Sequence, residues 1–148
     1  MTKEQKKLRL NGIIIAITGL ALAAAAWMPL YPLAQIFFNL AHWPFSDAPA
    51  VPDPTVRLTV AIGGGLTTGI GVMMWTVGTE VMPLAPDAGR KVVLYSATSW
   101  FIVDSTFSVV AGSPFNGALN LIFLALMLGA LDFKKGLAAA QGLSLIHI

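Results

Sequence analysis

Residues 92–131 read VVLYSATSWFIVDSTFSVVAGSPFNGALNLIFLALMLGAL, forty positions that carry one charge, Asp104. Two apolar runs flank the tetrapeptide Ala111-Gly112-Ser113-Pro114. Glycine ends helices well because it enters the left-handed region freely, and Ser followed by Pro reads as an N-cap with proline at the first helical position. The stretch therefore predicts two helices, 92–111 and 114–131, closed into a tight hairpin. A helix rising 1.5 Å per residue needs ~20 mostly apolar residues to cross the hydrocarbon of a bilayer. Both runs are close to that length, and in lipid each segment must pair its own backbone groups, which leaves helix as the solution.

The same reading extends toward the N-terminus. Between Arg57 and Glu80 lie 22 uncharged residues, a span over 57–79. No charge occurs between Arg9 and Asp47, and 10–28 is a further span, closed by Pro29. Composition agrees: of 148 residues, 56% are hydrophobic and 11% charged, with mean hydropathy +0.76. Soluble domains run at about 45–50% apolar, glycine included, and about 25% charged. A water-facing surface cannot be built from so few charges, which disfavours a soluble enzyme, a disordered tail and a nucleic-acid binder. Cysteine is absent, so disulfides and thiolate chemistry are excluded. The expected fold is all-α, a transmembrane four-helix bundle forming a single integral membrane domain over residues 1–142.

Basic residues set the expected direction. Lys3, Lys6, Lys7 and Arg9 precede the first span, Arg90 and Lys91 lie between the second and third, and Lys134 and Lys135 follow the fourth. With four crossings these eight fall on one side, the positive-inside pattern, which places both termini in the cytoplasm of a bacterium with the protein in its inner membrane. Arg57 is the one base on the other side. The basic start and the Ala23–Ala26 run before Trp27 also resemble a cleavable signal peptide; an apolar stretch longer than that class uses favours an uncleaved helix. The last six residues, Leu143-Ser144-Leu145-Ile146-His147-Ile148, resemble the translation of a transposon-end sequencing adapter and are set aside, His147 with them.

The connection 29–53 holds most of the prolines and cannot carry one long helix. Within it Leu33, Ile36, Phe37 and Leu40 follow helical spacing with Gln35 and Asn39 opposite, the pattern of a short interfacial helix, resting either on lipid or as a cap on the bundle. Trp27, Tyr31 and Trp43 fit an aromatic belt at that surface, Trp75 and Tyr95 at the other. The connection 82–91, with Pro83, Pro86 and Gly89, reads as a loop.

Glycine and polar residues then suggest how the helices meet. Gly65 and Gly69 form a GxxxG, and Gly63-Thr67-Gly71 and Gly64-Thr68 continue rows of small residues that permit close backbone approach, with Gly12, Gly19 and Ala23 at comparable spacing in the first span. These rows suit packing inside the bundle, or a homo-oligomer. Asp104 is the acid within the spans, costing ~2.5–3.5 kcal/mol near the bilayer centre, so it should face protein or water with a partner. Counting from the hairpin turn puts Asp104 about 10 Å and Asn120 about 9 Å below the same surface. Ser108 and Asn116 share the next turn outward, Ser105 flanks the acid, and Arg57 can reach down from its own span. A cluster of Arg57, Asp104, Ser108, Asn116 and Asn120 is expected, serving either to fix helix register or as a protonatable or cation-binding site.

Other chemistry lacks its residues. Haem ligation wants histidines inside spans, and His42 lies in the connection. No HExxH, Walker loop or CxxC occurs, and Ser113 has no neighbouring base in sequence. No enzyme, cofactor or metal is expected, and the partners expected are the lipid bilayer and a second copy or a membrane complex, with no nucleic acid. The segment from Trp100-Phe101-Ile102-Val103-Asp104-Ser105 through Gly112 to Asn116 and Asn120 resembles short bacterial membrane proteins, and the overall plan resembles the DoxX-like group of four-helix proteins. That resemblance implies a fold and no activity. Small four-helix multidrug transporters are similar in size, but their essential acid lies in the first helix, where this chain has none. The function expected is a non-enzymatic accessory or structural membrane component, the alternative a small proton- or cation-coupled carrier using Asp104.

Overall fold

A computed structural model describes residues 1–44 and 51–132; the segment 143–148 and His147 lie outside the described residues. The described residues form five helices and no strand: α1 (Lys3–Ala24), α2 (Tyr31–His42), α3 (Pro54–Thr76), α4 (Pro86–Val110) and α5 (Pro114–Leu128). Three stretches are long and apolar enough to cross a membrane, Lys3–Ala24, Pro54–Leu84 and Pro86–Val110, and α5 is a shorter apolar helix.

Local chemistry explains the helix ends. Thr2 and Gln5 close a capping box at the start of α1: Gln5 N donates to Thr2 Oγ1 (3.2 Å) and Thr2 N donates to Gln5 Oε1 (2.7 Å). Asp53 Oδ1 accepts from Val56 N (2.9 Å) ahead of Pro54, so α3 starts on an Asp-Pro cap. The α4–α5 turn is a Schellman motif. Gly112 takes φ +80°, its N–H donates to Val109 O (3.0 Å), and Ser113 N donates to Ser108 O (2.8 Å). The Ser113 side chain makes no capping bond, so the helix restarts on Pro114 alone.

The connection 82–91 is not the loop its prolines suggest. Beyond Thr76 the chain runs through a π-helical turn, Val77–Val81, into a last helical turn, Met82–Leu84. It breaks only at Ala85 (φ −141°, ψ 73°) before α4 starts at Pro86. Pro86 sits in the first turn of α4, where the missing N–H would have had no partner, and Pro83 directly follows the π-helical turn, where the regular ladder is already interrupted.

The helices pair antiparallel. On α1 and α3, Gly12 lies against Gly71 and Trp75 while Gly19 lies against Gly64 and Thr68. On α4 and α5, Ser108 meets Asn116 while Asp104 meets Asn120. The two pairs join near the basic residues of α1, where Leu8, Ile15, Met74, Val77, Val93 and Met127 share one buried cluster. Between α3 and α4 an apolar cleft stays open, walled by Ile70, Met73, Val77, Val93, Ala97 and Trp100.

At the opposite end α2 lies across the pairs and touches α5, Trp43 meeting Phe115 edge-on at 5.4 Å. Its packed side is Tyr31, Ala34 and Ala41, with Tyr31 only 3% exposed and set against Ala25 and Val60, so Tyr31 is a core residue rather than part of an aromatic belt. Of the stripe that marks α2 as amphipathic, Leu33, Ile36 and Leu40 face outward and Phe37 is half-buried.

Candidate functional site

The tight α4–α5 turn fixes the register of the polar side chains beneath it. Asp104 and Ser108 are four residues apart on α4, and Asn116 and Asn120 four apart on α5, so each pair shares a helix face. Counting back from Gly112 on one strand of the hairpin and forward on the other brings the faces level. Asn120 Nδ2 donates to Asp104 Oδ2 (2.5 Å) and to Ser105 Oγ (3.1 Å). Asn116 Nδ2 donates to Asp104 Oδ2 (3.3 Å) and to Ser108 Oγ (2.8 Å). Asn120 is buried at 5% exposure, while Asp104, Ser105, Ser108 and Asn116 are half-buried.

The structure thus brings together Asp104, Ser108, Asn116 and Asn120, with Ser105 as a further member. Arg57 is elsewhere. Its Nε donates to Ala26 O (2.9 Å), just past the end of α1. The reason is the pairing of helices: α3 packs along α1, so a side chain one turn into α3 meets the free carbonyls at the α1 C-terminus, which attract positive charge. Among the described residues the ion pairs are those of Arg90, and none involves Asp104. The Asn116 Oδ1 atom is buried without a hydrogen-bond partner.

The small-residue seam also differs from the rows singled out in the sequence. A Cβ placed on Gly64 would overlap the Ala23 backbone, 2.6 Å from its Cα, and one on Gly71 would lie 2.6 Å from Gly12 O. One on Gly19 would lie 2.7 Å from both Gly64 O and Thr68 Oγ1. Gly63, Gly65 and Gly69 have nothing within 4 Å of such an atom. Of the four glycines Gly63, Gly65, Gly69 and Gly71, then, only Gly71 lies on the α1/α3 seam, and its companions there are Gly64 and Thr68.

A second polar centre lies at the basic end, on residues the sequence reading passed over. Glu4, 5% exposed, receives Arg90 through two bonds, Nε to Oε1 (2.9 Å) and the second terminal nitrogen to Oε2 (2.7 Å). Asp132 N donates to the same Oε1 (3.0 Å), and the other terminal nitrogen of Arg90 donates to Asp87 Oδ1 (2.7 Å). Bidentate Arg–carboxylate pairing is directional as well as strong, so Glu4 ties the start of α1 to α4 and to the chain after α5. Asn11 Nδ2 donates to Leu126 O (2.6 Å) one level inward and strengthens that junction. The signal was faint: one acid in a run of bases, and an Asp87/Arg90 pair at helical spacing.

Among the described residues no three His, Asp or Glu side chains gather as metal ligands. His42 is bonded through Nδ1 to Phe38 O (2.9 Å) on its own helix. What the Asp104 cluster can do chemically is hold charge. It presents one carboxylate, two hydroxyls and two carboxamides. No family model, curated protein or solved structure matches the chain.

Proposed function

We propose that this protein is an integral component of a bacterial inner membrane, a four-helix bundle in which α1, α3, α4 and α5 cross the bilayer, both termini are cytoplasmic, and α2 lies in the outer interface. Its role there is accessory or structural and non-enzymatic. The observation that carries the membrane reading is the distribution of exposed apolar side chains. Ile17 (62% exposed), Leu66 (66%), Ile102 (57%) and Ile122 (60%) stand out from the middle of all four helices. In water such a surface would be a large liability, whereas in hydrocarbon it costs nothing. Polar side chains with several donors and acceptors are turned inward, as at Asp104 with Asn120 and Asn11 with the Leu126 carbonyl, while the exposed Thr18 and Thr59 hydroxyls donate to carbonyls of their own helices.

The short α5 fits this reading. Its 15 residues rise about 22 Å, and the apolar Gly129-Ala130-Leu131 extends the stretch toward the ~30 Å of a bilayer core. Local thinning of the bilayer covers the remainder at modest cost. The bases at the Glu4 end set the orientation, and the outward Leu33, Ile36 and Leu40 of α2 suit lipid contact at the opposite surface. The loosely DoxX-like plan of four helices is part of the same proposal.

A dual reporter fused after Lys135 tests it. Cytoplasmic fluorescence without periplasmic phosphatase activity, with the protein resisting alkaline carbonate extraction, is the expected result. Phosphatase activity at that position, or release of folded monomer by carbonate, overturns the reading.

A further inference from the structure

Among the described residues none gives Asp104 a countercharge. Arg57 is spent on the Ala26 carbonyl, and the other titratable groups of α4, Asp87, Arg90, Lys91 and Tyr95, all lie in its first three turns. Helix α5 carries no titratable side chain, and His42 of α2, which packs on α5, is tied to Phe38 O. The acid receives hydrogen bonds from two neutral carboxamides, which solvate a negative charge without cancelling it. The same network holds neutral oxygens: Ser105 Oγ accepts from Asn120 Nδ2, Ser108 Oγ accepts from Asn116 Nδ2, and Asn116 carries Oδ1 on the carboxamide that donates to the acid. The last is buried and has no donor.

One carboxylate in a network with hard neutral oxygens matches a monovalent cation in charge. We infer that Asp104, Ser108 and Asn116 bind a single monovalent cation, admitted from the Gly112 end of the α4–α5 hairpin. Access is from the turn, since Asp104 is itself half-buried and Gly112, one turn beyond Ser108, is exposed at the hairpin tip. The Asn116 carbonyl gains the positive partner it lacks, and the carboxylate gains its countercharge. The inference rests on α4 and α5 being spans, because in water an exposed carboxylate needs no such partner.

The test uses the full chain in zwitterionic lipid nanodiscs, with insertion verified separately by carbonate extraction so that a failure of the membrane reading is seen as such. The test measures equilibrium binding of radioactive sodium, then of a potassium analogue, against choline chloride at constant ionic strength. Saturable alkali-ion binding near one per chain supports the site. Asp104→Asn is expected to remove the signal, and Asn116→Leu, which keeps the acid, to weaken binding about tenfold. Lys91→Gln, outside the site, leaves it unchanged. Wild-type protein that shows no saturable binding overturns the inference, as does an Asp104→Asn signal equal to wild type.

Discussion

Along the α1/α3 seam the helices touch through backbone. Gly12, Ala16, Gly19 and Ala23 face Gly64, Thr68 and Gly71, with room for no added methyl at any of the four glycines. Along α4/α5 the contact is made by side chains that hydrogen-bond, Asp104 and Ser108 to Asn116 and Asn120. Where the solvent is lipid, apolar burial supplies no drive for association, so a helix pair relies on close van der Waals packing or on polar bonds. This chain uses the first for the pair separated by a long connection and the second for the pair joined by a tight turn. The difference follows from what each pair must specify. The hairpin has its register set by the Gly112 turn, so a few polar bonds suffice to hold it. The distant pair has no such turn, and a close-fitting seam, with the Arg57 bond to Ala26 O at one end, sets its register.

The largest effect is expected on the seam. Gly64→Ala puts a methyl into the Ala23 backbone, which has no side chain to swing aside, so α1 and α3 must separate. Overpacking of this kind costs about 3 kcal/mol. Reversible unfolding in mixed micelles should show that loss, and a variant as stable as the parent would mean that the α1/α3 contact is not made as described.

The polar pair should be more forgiving. Asn120→Leu removes the bonds to Asp104 and Ser105 but keeps the branched, four-atom shape of a side chain only 5% exposed. Interhelical hydrogen bonds in membranes average about 0.6 kcal/mol, so a loss of about 1 kcal/mol is expected for the two. The same micelle unfolding measures it. A loss equal to that of Gly64→Ala would show that the cluster, rather than the Gly112 turn, sets the hairpin.

What the sequence made legible follows the same division. Asp104, Ser108, Asn116 and Asn120 can be placed level by counting from one tight turn, because helical rise is fixed and the turn leaves no slack. Arg57 could not be placed that way. Span order does not say which helices are neighbours, and α3 lies along α1. The glycine rows were visible but ambiguous, since α3 offers small residues on several faces. A clue was present: Gly12 and Gly19 are seven apart, as are Gly64 and Gly71, and matched spacing lets two helices interlock at two levels. Glu4 was opaque for a different reason. An acid among lysines reads as a solvated charge until Arg90 and the backbone at Asp132 arrive from distant parts of the chain. The prolines of 82–91 misled because a proline at a helix start or after a π-helical turn and a proline in a loop look alike in sequence.

The smallest effect sharpens the comparison most. Gly65 is adjacent to Gly64 in sequence, yet a Cβ there meets nothing within 4 Å. Gly65→Ala therefore adds no clash, and it removes the helix penalty that glycine carries relative to alanine, about 1 kcal/mol in favour of the folded helix. The two substitutions are chemically identical and one position apart, so propensity and lipid exposure of a single methyl cannot account for opposite signs. Only the face on which each residue lies can. Gly65→Ala should unfold at or slightly above the parent's denaturant midpoint while Gly64→Ala falls well below it. A destabilised Gly65→Ala would instead reveal a partner on the open face of α3, and a crosslinked dimer through that face would identify the partner as a second copy of the chain.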